Sequence, residues 1–217
     1  MRTVIGTYKE TFGRDFEKMR LLYSHFFRDP RHSAELKAEV ALIGEHQARL
    51  NDIHKQRKYA QEAIRTLAEA KLWDKQFDSF TQLYDTVEEL IGGIPFIGSL
   101  TIYDVAVRIS ARFSIEPEKV YLNAGAKEGA RVLLGVTKID SVVDISIFGE
   151  TLSQLTSIHI ENFLCIYKKV ISKGGVKKGE KLPAYNKNRF CGIRKGLLIY
   201  EIFIEQKITV TSKLMSY

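Results

Sequence analysis

Long apolar runs are missing from this chain of 217 residues: none approaches about eighteen consecutive apolar side chains, so no helix is expected to span a bilayer. The opening residues, MRTVIGTYKETFGRD, lack the apolar stretch of a secretory signal. Cysteine is almost absent. Cys165 and Cys191 are too few for a disulfide scaffold or a thiolate zinc site, so a reduced, cytoplasmic protein is expected. His25, His32, His46 and His54 show neither HExxH nor another recognised ligand spacing, and no metal or other cofactor is expected. What remains is 45% hydrophobic, 27% charged and 11% aromatic, the composition of a folded globular domain.

The net charge of +7 is unevenly placed. From Lys168 onward twelve basic residues stand against Glu180, Glu201 and Glu205, a surplus of nine, while the rest of the chain is slightly acidic. A clustered basic segment points to a polyanion such as nucleic acid, or to a solvated tail.

The N-terminal half reads as helix. Phe12, Phe16, Met19, Leu22, Tyr23 and Phe26 recur at three- and four-residue steps, and Asp29-Pro30 closes that segment. Ser33 opens a second helix through Leu36, Val40, Ile43, Leu50 and Ile53, expected to run on to about Trp73. Asp74 or Asp78 is the expected cap of a third, through Leu83, Val87, Leu90 and Ile91. The stretch before Trp73 resembles a helical hairpin or a partner-binding arm. Later, Ile139 to Phe148 reads as a strand or a loop packed on the body, and Ile158 to Ile171 returns to helical spacing. Cys165 falls in that apolar run and is expected to be a buried thiol. Residues 197–210 are β-branched and aromatic, one or two strands.

Between Glu88 and Arg112 the chain reads EELIGGIPFIGSLTIYDVAVRISAR. A helix ends at Gly92-Gly93, a tight turn containing Pro95 follows, and a second helix opens at Ser99 or Thr101 with a stripe of Ile102, Val105, Ala106 and Ile109. Backbone N–H groups at Gly98, Ser99, Leu100 and Thr101 would then stand at an exposed helix N-terminus. There they lack intrahelical partners and coincide with the positive end of the dipole. Such donors take phosphate oxygens without reading sequence. The stretch resembles a helix-hairpin-helix motif, whose hairpin reads apolar-Pro-Gly-apolar-Gly. Here Ile94-Pro95-Phe96-Ile97-Gly98 occupies it, with Phe96 in place of the first glycine.

Further on, Pro117 is placed to start a helix, and Gly125, Ala126, Gly129 and Ala130 make a small-residue helix able to pack closely. This order resembles the core of the helical DNA glycosylase superfamily. That resemblance implies a lysine two positions after the second hairpin glycine and an aspartate some eighteen to twenty positions later. The first position is Leu100. The second region, Glu118 to Leu122, contains no aspartate, so the resemblance carries fold without activity. Glu116 to Arg131, with Leu164 to Lys168, also resembles small uncharacterised bacterial proteins.

These readings give a mainly α fold: a helical arm over 1–73, a helix-hairpin-helix-like domain over 74–168, and a basic, β-containing extension over 169–217. The expected function is non-catalytic, sequence-tolerant binding of DNA. The expected contacts are Gly93, Ile97, Gly98, Ser99, Leu100, Thr101, Arg108 and Arg112 around the hairpin, with Lys177 and Lys178 from the tail. The alternative is an interaction or scaffold protein using residues 11–73 to bind a partner or itself. A third reading is a DNA repair enzyme of the helix-hairpin-helix type, with Asp104, Glu116, Glu118 and Glu128 as its candidate acids.

Overall fold

The structure is a computed structural model that describes residues 2–43 and 57–174. His46, His54, Lys177, Lys178, Cys191 and the strands read at 197–210 lie outside the described residues. Among the described residues the fold is mainly helical with one two-stranded sheet, and no helix is long and apolar enough to cross a membrane.

The chain opens earlier than its apolar stripe suggests. Helix α1 (Arg2–Tyr8) runs through a π-helical turn (Lys9–Gly13) into α2 (Arg14–Arg28). Asp29 ends α2 in extended conformation because the proline after it excludes the helical region. Ser33 Oγ accepts the Leu36 N–H at 3.2 Å and starts α3 (Ala34–Ile43). Next comes α4 (Arg57–Ala70), which ends at a left-handed Lys71 (φ 46°) and a 3-10 turn (Leu72–Asp74) that buries Trp73. The helix expected to run from Ser33 to Trp73 is not one continuous rod, since among the described residues α3 and α4 lie against one another.

Helix α5 (Phe80–Ile91) is capped neither by Asp74 nor by Asp78 but by Ser79, whose side chain accepts the Gln82 N–H at 3.1 Å. The Gln82 side chain reaches back to accept the Asp78 N–H at 2.9 Å, one residue before the N-cap, a reciprocal arrangement close to a capping box. After α6 (Ser99–Ser110) the chain does not enter a helix at Pro117. Glu118 instead caps α5 from outside: its carboxylate accepts the Phe80 N–H at 3.0 Å and the Thr81 hydroxyl at 3.3 Å. That tether holds the segment irregular until β1 (Val120–Tyr121), which pairs antiparallel with β2 (Val142–Val143). Between the strands lies α7 (Ala124–Leu134), closed by a left-handed Gly135 (φ 67°). A 3-10 turn (Ile145–Phe148), α8 (Gly149–Leu152) and α9 (Ser157–Ser172) complete the described chain.

Two apolar cores result. The first joins Phe26, Phe27, Ala41, Leu67 and Trp73 to Phe80, Leu83, Val87, Ile102 and Val105. It therefore crosses the division expected at residue 73: helices before that point share their interior with α5 and α6. The second core joins Val4, Ile5, Tyr8 and Phe12 to α7, α8 and α9. The wide π turn, with more than 3.6 residues per turn, keeps Tyr8 and Phe12 on one side, and both rings stand edge-on to Tyr167 of α9. Helix α9 continues to Ser172 with Ile171 buried, so the basic extension does not begin at 169 in structural terms.

The small residues of α7 face α9. An added Cβ on Gly125 would sit 2.7 Å from Cys165 Sγ, and one on Gly129 would sit 2.4 Å from the Leu164 carbonyl oxygen. The absence of side chains at these two positions lets the helices meet backbone to backbone.

Candidate nucleic-acid interface

Helix α5 ends at Ile91, which is buried in the first core, and the Gly92 N–H still donates to the Glu88 carbonyl at 2.7 Å. Ile94 is also buried and anchors the turn that follows. The Ile97 N–H closes back on the Ile94 carbonyl at 3.1 Å, with Pro95 second in the turn and Phe96 third at φ 69°. Pro followed by a positive φ is the pattern of a type II turn, which ordinarily takes glycine at its third position. The backbone therefore demands left-handed freedom where the helix-hairpin-helix motif has its first glycine, and Phe96 supplies it under strain.

Gly98 is the N-cap of α6 in extended conformation and offers no side-chain cap. Its carbonyl accepts from Thr101 at 2.9 Å and Ile102 at 3.1 Å, so the Thr101 N–H, expected to be free, is engaged. The N–H groups of Gly98, Ser99 and Leu100 have no acceptor among the described residues. Open space lies over Gly98: an added Cβ would meet nothing within 4 Å. Gly93, Pro95 and Ser99 are exposed, Leu100 is 37% exposed and Phe96 68%, while Ile97 is half-buried.

The expected basic side chains do not gather here. Arg108 is 3% exposed and turned inward: its Nη1 donates to the Ala41 carbonyl at 2.8 Å and the Leu42 carbonyl at 3.3 Å. Two carbonyls at the end of α3 need donors in the core, and the long arm of Arg108 supplies them, so it presents no charge to a phosphate. Arg112 lies beyond the C-terminal end of α6, about 18 Å of helix from the hairpin, with its guanidinium over the Phe113 ring. Exposed Asp85, Glu88 and Glu89 lie instead on α5 below the turn. The start of α4 supplies what the linear sequence hid: Tyr59 packs on Phe96 with ring centroids 5.4 Å apart, and the neighbouring Lys58 is exposed. Nothing in the spacing of the hairpin residues points to a helix some forty positions earlier.

The candidate acids are scattered among structural partners. Glu116 pairs with the buried Arg20, Glu118 caps α5, and Glu128 pairs with Lys168 across α7 and α9. Asp104 lies 3.8 Å from Arg108 Nη2 and is mostly covered, not on an open helix face. No group of three or more potential metal ligands forms among the described residues. Cys165, expected to be buried, is exposed as a residue, though its sulfur leans against Gly125. Desolvation there, with the nearby Glu161 carboxyl, pushes the thiol up to about 11, far from a reactive thiolate. His159 is fully employed: its Nδ1 is 2.7 Å from the Tyr8 hydroxyl and its Nε2 is 2.8 Å from Glu17. That hydrogen bond is the main reason the Glu17 carboxyl falls below its ordinary range. Comparison with known proteins finds no matching family model, no matching curated protein and no matching solved structure.

Proposed function

We propose that the protein binds DNA through the phosphate backbone, without reading sequence and without catalysis, using the hairpin over residues 93–101. The observation that carries this reading is the exposed start of α6. Three consecutive N–H groups, at Gly98, Ser99 and Leu100, have no acceptor among the described residues, and open space lies above the first of them. Buried Ile91 and Ile94 hold that geometry in place before any ligand arrives. Phosphate bound there meets the positive end of the helix dipole and needs no conformational change. Lys58 and the basic segment beyond Lys168 supply the long-range attraction that the hairpin itself lacks.

The test is fluorescence anisotropy on single-stranded, duplex and forked DNA across a salt series. The full chain is compared with Gly98→Glu and with a truncation after Gly174, which leaves α9 whole. Neutralising about six phosphates predicts a roughly thousandfold loss of affinity between 50 and 200 mM salt. Binding that survives truncation and fails in Gly98→Glu supports the hairpin. Binding lost only with the tail makes the protein a general polyanion binder.

One observation favours a protein partner instead: the apolar ring of Phe96 is largely exposed beside Tyr59 of α4. Absence of salt-dependent DNA binding in every form, with self-association seen by light scattering, would transfer the function to that surface.

A further inference from the structure

Two cations beside the first core lack the partners that covered charges ordinarily have. Lys37 of α3 is only 5% exposed, yet its Nζ has neither hydrogen bond nor ion pair among the described residues and stands 5.9 Å from the centre of the Trp73 ring. Arg112, just beyond α6, lays its guanidinium over the Phe113 ring at 5.7 Å, and its Nε is buried without a hydrogen-bond partner among the same residues. Packing brings the two to one corner of the molecule. Trp73 stacks on Phe27 with ring centroids 6.1 Å apart, and the next residue, Arg28, donates from Nε at 3.1 Å and from Nη2 at 2.9 Å to the Arg112 carbonyl. Arg108 meets the Ala41 and Leu42 carbonyls at the end of α3, whereas Arg112, one turn later, meets the end of α2 just before α3 begins. Helix α6 therefore runs antiparallel to α3, and the residue one turn back from Ala41 is Lys37.

The carboxylates of this corner do not neutralise the pair. Asp29 is taken by Arg31, whose Nε lies 2.9 Å from one oxygen and whose Nη2 lies 2.5 Å from the other. Asp74, next to the Trp73 ring, is exposed and comes within ion-pair distance of neither cation. The rings around the two cations, Trp73, Phe113 and Phe77 edge-on to Phe113, offer them no oxygen. Burial is the main reason that the Lys37 ammonium falls below its ordinary range; Asp74 and Asp29 oppose that fall, and the charge of Arg112 deepens it. A covered cation without a counter-ion is costly, and two of them facing one another are a standing demand for an anion.

We propose that Lys37 and Arg112 hold a small oxyanion of the phosphate class between α3 and the end of α6. The guanidinium fork donates in parallel to two oxygens, and the ammonium gives a point charge to a third. Lys37 lies too deep for the rigid backbone of a duplex, so the ligand is a small ion. The site stands at the opposite end of α6 from the hairpin and does not rest on the hairpin's binding of DNA.

Trp73 is the single tryptophan of the chain, so its fluorescence reads the site directly. Inorganic phosphate is titrated into the full chain at constant ionic strength, with chloride as the balancing anion. The expected result is a saturable change in Trp73 emission, with the half-saturating concentration raised roughly tenfold or more in Lys37→Met and in Arg112→Met. Lys18→Met, at an exposed position of α2, leaves it unchanged, and so does Gly98→Glu. A second measurement needs no variant and carries the test if a methionine variant fails to fold. In the wild type, phosphate slows acylation of Lys37 several-fold while Lys18 is labelled at an unchanged rate, both read by peptide mass. A response that never saturates, a half-saturation unmoved in either methionine variant, or acylation of Lys37 indifferent to phosphate overturns the site. Loss of the response in Gly98→Glu, or displacement of phosphate by a duplex oligonucleotide, would also overturn it and assign the signal to the hairpin.

Discussion

The contact between α7 and α9 is the tightest joint in the second core, and Gly129→Ala tests it most directly. The added Cβ would stand 2.4 Å from the Leu164 carbonyl oxygen, 3.0 Å from its carbon and 3.3 Å from its Cα. All three are backbone atoms, so no side-chain rotation relieves the overlap and α9 must shift bodily away from α7. That movement loosens Phe163, Leu164 and Tyr167, which are fully buried. Overpacking of this kind costs about 1–3 kcal/mol. Alanine in mid-helix returns about 1 kcal/mol of helix propensity, leaving a net loss of up to about 2 kcal/mol. For a chain of this size that is a fall of up to about 8 °C in melting temperature. Two companion variants separate packing from propensity. Gly6→Ala in α1 adds a Cβ that meets nothing within 4 Å, so it is expected to stabilise by up to about 1 kcal/mol. Gly125→Ala meets Cys165 Sγ at 2.7 Å, the tip of a side chain that has a rotamer to give, and Cys165→Ala in the same chain removes its penalty. Thermal and urea unfolding followed by circular dichroism read all four. If Gly129→Ala stabilises as Gly6→Ala does, the close approach of α7 and α9 is refuted.

Three further substitutions address other joints. Phe96→Gly removes a left-handed non-glycine residue and is expected to raise stability by about 1 kcal/mol, less whatever the contact with Tyr59 contributes; a urea midpoint that falls instead would show the ring contact to outweigh the strain. Arg108→Met strands the Ala41 and Leu42 carbonyls and leaves Asp104 without its cation, and should lower unfolding free energy by about 3 kcal/mol; a loss under about 1 kcal/mol would mean that water replaces the guanidinium. Glu118→Ala uncaps α5, for an expected loss of about 1 kcal/mol and faster exchange at the Phe80 amide, and unchanged exchange there would deny the cap.

The helices that can be read from the sequence are those whose apolar stripe is local. The stripe through Phe16, Tyr23 and Phe26 gives α2, Asp29-Pro30 gives its end, and Ile158 to Ile171 gives α9, all from side chains within a few turns of one another. The small-residue run of α7 announces a close neighbour without saying which, because Gly129 meets Leu164 only after the strands have turned the chain back. Helix α1 is hidden because its buried Val4, Ile5 and Tyr8 run into a π turn that breaks the 3.6-residue period. Glu118 reads as a solvated turn residue and Arg108 as a basic helix face. Each is recruited by backbone groups about forty and sixty-seven positions away that need a partner.

The same limit governs the candidate sites. The hairpin between α5 and α6 is legible because its Pro and Gly positions fall within one short stretch, and its geometry then follows from turn chemistry even with Phe96 in a glycine's place. What surrounds it is not legible, since Tyr59 and Lys58 arrive from another helix. Glu161 is the extreme case. In sequence it is a polar residue on the flank of an apolar helix, the usual place for a solvated carboxylate. Only the fold buries it, to 8% exposure, and burial, then the charge of Asp104, pushes its carboxyl up to about 8. A charge pattern read along the chain assigns such a group its solution chemistry, whereas burial in the fold favours its neutral form.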